Sequence, residues 1–130
     1  MASGERGGDG VLVVDDDPDI CEVIETVLEL NGYRVITACD GADALERLRA
    51  GVRPCLILLD LMMPKMSGFE FREEQQRDPA LRGIPVMILS GDGRAEAKAV
   101  ALGVEGMRKP VELGVLLEAV ARWCHASGTP

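Results

Sequence analysis

The chain has 130 residues, the size of one ordinary domain. Hydrophobic residues make up 47% and aromatics only 3%, so a core must be built from aliphatic side chains and methionine. The net charge of −8 argues against a nucleic-acid or acidic-membrane surface, and no run approaches the ~18 apolar residues of a membrane span.

The start, MASGERGGDG, has no apolar stretch of signal-peptide type and reads as a flexible leader over residues 1–9. A domain is expected over 10–126, followed by a tail, 127–130. Val11 to Val14 is an apolar run that ends in Asp15, Asp16 and Asp17. Pro18 suits the first turn of a helix, with Asp17 as its natural N-cap. Ile20, Val23, Ile24, Val27 and Leu28 then recur at helical spacing until Asn31-Gly32. Tyr33 to Ala38 favours a strand, and Asp40 caps a second helix running to Arg49 with Ala44, Leu45 and Leu48 inward.

Cys55 to Leu59 is an unbroken apolar run, the pattern of a strand buried on both faces, and it leads directly into Asp60. Pro64 and Gly68 mark the loop that follows. A third helix is expected from about Ser67 to Gln76, although Arg72, Glu73, Glu74, Gln75 and Gln76 leave it a poor apolar face. Ile84 to Leu89 reads as a strand ending in Ser90-Gly91-Asp92-Gly93, and Ala95 to Leu102 as a short helix closed by Gly103. Val104 to Arg108 is a weak strand ending at Lys109-Pro110, and Val111 to Cys124 is a last helix with Leu113, Leu116, Leu117 and Val120 inward.

Five strands alternating with five helices predict an α/β fold, a parallel sheet covered on both faces. In the strand order 2-1-3-4-5 the first and third strands are neighbours, about 4.8 Å apart. All strand C-termini then share one edge. Asp15, Asp16 and Asp60 converge there, with the Ser90 hydroxyl and the Lys109 ammonium on the far side. Three clustered carboxylates repel unless a cation shares them, and oxygen ligands with room for water suit Mg2+. Such an ion would neutralise an incoming phosphoryl group, for which a carboxylate is a competent nucleophile.

The four cysteines, Cys21, Cys39, Cys55 and Cys124, include no C-x-x-C pair, and His125 has no partner at zinc-ligand spacing. They read as reduced thiols, mostly buried. The methionines Met62, Met63 and Met66 read as loop packing, since thioethers do not suit Mg2+.

VLVVDDDPDI, ILLDLMMPKMSG, VMILSG and RKP, in this order and spacing, resemble the receiver domain of bacterial two-component response regulators, of the stand-alone, chemotaxis-regulator-like kind. The resemblance implies a flavodoxin-like (βα)5 doubly wound sandwich in a cytoplasmic phosphorelay protein. Asp60 would accept a phosphoryl group from a sensor histidine kinase or histidine phosphotransfer protein. Asp15, Asp16, Asp60 and the backbone carbonyl of Met62 would hold Mg2+, Lys109 would contact the phosphoryl group beside a cis bond to Pro110, and Ser90 would be the switch hydroxyl. It further implies a downstream protein partner, a phosphorylation-dependent homodimer as an option, and no direct nucleic-acid or membrane binding. Two departures stand out. Gly106 or Met107 occupies the place of the family's fifth-strand aromatic, and Arg72 and Gln75 replace apolar residues of the third helix. The alternatives are a receiver-like interaction module not regulated by phosphorylation, and a phosphatase with an aspartate nucleophile in the Asp15-x-Asp17 pattern.

Overall fold

In the computed structural model, each apolar run identified in the sequence forms a short strand and each amphipathic stretch a helix. Residues 9–63, 65–91 and 95–124 are described. The expected leader (apart from Asp9), Pro64, Asp92, Gly93, His125 and the 127–130 tail lie outside them. The order is β1 (Val11–Val14), α1 (Pro18–Leu30), β2 (Val35–Ala38), α2 (Gly41–Arg49), β3 (Leu56–Asp60), α3 (Gly68–Arg77), β4 (Val86–Ser90), α4 (Ala95–Leu102), β5 (Glu105–Arg108) and α5 (Leu113–Trp123). All neighbouring strands are parallel, in the order β2-β1-β3-β4-β5.

Strand side chains alternate between faces, and here the alternation sorts the core into two halves. Leu12, Val14, Ile57, Leu59 and Ile88 pack on one face with Ala44, Leu45 and Leu48 of α2, Phe71 of α3 and Ala99 of α4. Val11, Val13, Leu56, Leu58, Met87, Leu89 and Met107 pack on the other with Ile24 and Leu28 of α1 and Leu116, Ala119 and Val120 of α5. The central strands β1, β3 and β4 are buried throughout, which explains why their sequences show no polar alternation.

The caps follow the sequence closely. Asp17 accepts a hydrogen bond from the Asp19 amide and Asp40 from the Asp43 amide. Ser67 and Glu70 form a reciprocal capping box at the start of α3. Val23 and Leu113, expected to face inward, are 52% and 39% exposed, because each lies at the margin of its helix's apolar stripe.

The weak apolar pattern of α3 has a structural cause. Gln75 is fully buried, and its Nε2 donates to the carbonyls of Leu81 (2.9 Å) and Ile84 (3.0 Å), while Oε1 accepts from Arg72 Nη1 at 2.7 Å. These bonds tie the end of α3 to the turn that leads into β4, a task an apolar side chain could not perform.

The cysteines require a correction. Cys55 and Cys124 are joined in a disulfide with Cα atoms 5.4 Å apart, which spacing along the chain did not reveal because the pair meets only through the tertiary fold. Cys39 is free and exposed. Cys21 is free, its Sγ lies 3.4 Å from the Asp15 carbonyl, and burial together with Asp15 and Asp17 pushes its thiol up to about 11.

Replacing Gln75 with alanine strips two buried carbonyls and a guanidinium of their partner, so urea unfolding of Gln75→Ala should show a loss of about 2–3 kcal/mol. A loss below ~0.5 kcal/mol would show that water or neighbouring groups replace the network.

Candidate functional site

The site is set by sheet register. Val14 pairs with Leu59, so Asp15 and Asp60, one residue further along, stand side by side at the ends of β1 and β3. Asp60 pairs with Leu89, which sets Ser90 one step beyond it, and Ser90 pairs with Arg108, which sets Lys109 one step beyond again. The Lys109 amide continues that ladder by donating to the Ser90 carbonyl at 2.8 Å. The stagger carries the four side chains progressively outward across the edge, so that the long Lys109 side chain reaches back over the shorter ones.

Asp15 and Asp60 are 2% and 3% exposed, while Asp16 is exposed at the rim. One carboxylate oxygen from each of the three lies within 4.8 Å of the other two. Lys109 Nζ pairs with Asp15 Oδ2 at 2.9 Å and Asp60 Oδ1 at 3.4 Å. Asp15 Oδ1 accepts from the Asp17 amide at 2.9 Å, which fixes its orientation. The Met62 amide approaches Asp60 Oδ1 at 3.4 Å, and the Met62 side chain points outward, 68% exposed. The Lys109-Pro110 peptide is cis, as the resemblance implied.

Burial foremost, and then the neighbouring Asp15 charge, push the Asp60 carboxyl above its ordinary value, and Lys109 only partly offsets them. Burial alone would lower the Lys109 ammonium, but its pairs with Asp15 and Asp60 together lift it above the usual lysine value. Asp15 Oδ2 and Ser90 Oγ are buried without a well-formed hydrogen bond, and the Lys109 ion pair is what compensates Oδ2. An all-oxygen donor set with a half-compensated buried carboxylate fits a hard divalent cation such as Mg2+.

Every predicted site residue therefore falls on one edge of the sheet. Met107 does not take the place of an inward-swinging aromatic. It is buried under α5, while Gly106, on the opposite face of β5, offers no side chain there. One contributor escaped sequence reasoning. A Cβ at Gly68 would meet the Asp60 carbonyl at 2.6 Å and the Leu61 Cα at 2.8 Å, so only glycine lets α3 begin against the end of β3. Its signal, a glycine directly after the capping serine, reads equally well as an ordinary loop end.

The response regulator receiver domain family matches residues 11–121. The chain is similar to Protein PilG of Pseudomonas aeruginosa, 36% identical over 121 residues and covering 89% of each chain. It is also similar to the structure of a response regulator receiver protein from Pseudomonas putida (TM-score 0.80, 30% identity, 94% of this chain and 99% of that one). A third likeness is to chemotaxis protein CheY4 of Vibrio cholerae (TM-score 0.77, 33% identity, 87% and 96%). The chain spans about a third to just under half the length of several transcriptional regulators that it also matches, at 36%, 34% and 45% of their sequences.

Two thermal measurements test this electrostatic account. Because the folded state holds the Asp60 proton more tightly than the unfolded chain does, ionised Asp60 opposes folding, and increasingly so as pH rises through its elevated folded pKa. Asp60→Asn should therefore melt a few degrees higher than the parent without metal near neutral pH, the scale of a change of about 1 kcal/mol. Millimolar Mg2+ should raise the melting temperature of the parent and leave Asp16→Ala unmoved; an equal shift in that variant would place the ion elsewhere.

Proposed function

We propose, for a chain that belongs to the response regulator receiver domain family, that Asp60 accepts a phosphoryl group and thereby switches a protein-interaction surface. The observation that carries this reading is a buried carboxylate at the end of β3, 3.4 Å from the Lys109 ammonium and flanked by two further acids.

In this reading the donor is a phosphohistidine on a sensor histidine kinase or a histidine phosphotransfer protein. An Asp60 carboxylate oxygen forms the new bond to phosphorus. The P–N bond breaks, and its electron pair leaves on the imidazole nitrogen. Asp15, Asp16, Asp60 and the Met62 carbonyl would hold Mg2+, which when bound offsets the charge of the carboxylates and of the phosphoryl oxygens. Lys109, already poised against Asp60, pairs with a phosphoryl oxygen. The Ser90 hydroxyl, buried and without a hydrogen-bond partner, donates to another. That new bond gives Ser90 a reason to prefer the phosphorylated state, which is how a local charge biases a two-state element. Water attack on the acyl phosphate, promoted by the same residues, resets the switch.

Output would pass through the face of α4, β5 and α5 to a downstream protein or to a second copy of the domain, within the cytoplasm. Direct nucleic-acid binding is no part of this reading. Gly106 favours one second reading, a module that binds partners without phosphorylation, because β5 carries no aromatic to swing inward.

With Mg2+ and acetyl phosphate or phosphoramidate, the parent should take up close to one phosphoryl group per chain, and Asp60→Asn none. Equal labelling of Asp60→Asn would overturn the assignment, no labelling of the parent would favour the second reading, and steady turnover of a phosphomonoester would point to a phosphatase.

A further inference from the structure

We propose that Cys55 and Cys124 are a reversible disulfide site through which thiol redox state sets the order of the end of α5. The consequence for signalling, though not the redox chemistry, rests on the proposed function of the domain.

Position is the first argument. Cys55 immediately precedes β3 and Cys124 ends α5, so two elements 69 residues apart are fastened where their Cα atoms come within 5.4 Å. Among the described residues, little else holds the last turn of α5. Ala121, Arg122 and Trp123 are exposed, and after Val120 the next buried side chain is Cys124 itself, at 4% exposure. A second tie among the described residues is the paired contact of Arg122 with Glu105, at 2.9 Å for each nitrogen, and it lies at the surface. A solvent-exposed ion pair of this kind contributes little order by itself.

Both redox states are accommodated. Cys55 is half-buried and Cys124 only 4% exposed, so Cys55 is the member of the pair on which attack by a small thiol or disulfide is expected. Once reduced, the Cys55 thiol has an acceptor at hand, since its Sγ already lies 3.4 Å from the Gly10 carbonyl. Cys124 sits in the apolar cluster under α5, where a neutral thiol behaves as a small hydrophobe. Reduction therefore strands no buried polar group. Cross-talk with the free thiols is limited by topology: Cys39 follows β2, and Cys21 approaches the Asp15 carbonyl, so both lie at the sheet edge opposite the start of β3.

The chemistry balances as thiol–disulfide exchange with a low-molecular-weight disulfide of the glutathione type. The Cys55 thiolate attacks one sulfur of that disulfide, forming a mixed disulfide and releasing one thiol. The Cys124 thiolate then attacks the Cys55 sulfur and releases the second. Two protons and two electrons leave the protein, and one external disulfide becomes two thiols.

The consequence follows from β3, which separates the two ends of the mechanism. Cys55 precedes its first residue and Asp60 is its last, a strand length of roughly 16 Å, so the cross-link does not touch the acidic site. It acts on α5, whose Leu113, Val115 and Trp123 are exposed apolar side chains available to a partner.

The test equilibrates the folded 130-residue chain, and its Cys39→Ser variant, in glutathione buffers from fully reduced to fully oxidised. Alkylation with peptide mass spectrometry reads the cysteines, amide hydrogen exchange reads the helices, and acetyl phosphate labelling reads Asp60. We expect Cys55 and Cys124 to interconvert as a pair without unfolding. Residues 118–124 should exchange roughly tenfold faster in the reduced form while β1 and β3 stay unchanged. Acetyl phosphate should label both forms equally. Cys124→Ser should reproduce the reduced exchange pattern, and if it fails to fold, the reduced parent supplies the same comparison. A bridge that resists millimolar thiol until the protein unfolds, a pair that stays reduced in oxidised glutathione, or identical α5 exchange in the two forms would each overturn the proposal. Failure of labelling in both forms would instead overturn the Asp60 reading, with the alkylation and exchange results still deciding the redox pair.

Discussion

One ammonium group holds the acidic edge of this sheet together. Lys109 spans from β5 to β1 and β3, 2.9 Å from Asp15 and 3.4 Å from Asp60. Like unit charges 4 Å apart repel by about 4 kcal/mol at an effective dielectric constant of 20, so three neighbouring carboxylates are unstable as an isolated group. Lys109 offsets only part of that repulsion, and burial foremost, then the Asp15 charge, leaves the Asp60 carboxyl above its ordinary value. The remaining deficit of positive charge is the property that a divalent cation can exploit. A second lysine would satisfy the site and remove the reason to bind one.

The sheet converts this local charge problem into a positioned site. Parallel strands put every C-terminus on the same edge, and the stagger across β1, β3, β4 and β5 lets short carboxylates, a hydroxyl and a long ammonium meet. Gly68 lets the next helix, capped by Ser67 and Glu70, begin against the Asp60 backbone. The opposite edge is organised differently, by the Cys55–Cys124 bridge and the Gln75 bonds to the turn before β4. One edge gathers the charged side chains and the other is mechanically fastened, with β3 running between them.

Most of this was legible in the chain because buried parallel strands announce themselves. Val11–Val14, Leu56–Leu59 and Val86–Leu89 are uninterrupted apolar runs that end in polar residues, and each polar residue fell on the expected edge. The boundaries moved by one residue where Asp60 and Ser90 proved to be the last strand residues, since their backbones still pair with β4 and β5. The features that escaped all depend on distant neighbours. Gln75 looks misplaced until the turn it bonds is known. Gly68 looks like punctuation until Asp60 is behind it. Cys55 and Cys124 look like two small hydrophobes until the sheet and α5 bring them together. Local pattern reports which face a residue prefers, and it is silent on what waits there.

The central claim is that Asp60 is the residue that takes the phosphoryl group. Borohydride reduction of the acetyl phosphate-treated protein, followed by peptide mass spectrometry, tests it most directly, because an aspartyl phosphate is reduced to homoserine where an ordinary aspartate is untouched. The account predicts homoserine at position 60 and at no other aspartate, dependent on Mg2+. Homoserine at Asp15 or Asp16, or none at position 60 in a phosphorylated sample, would contradict it.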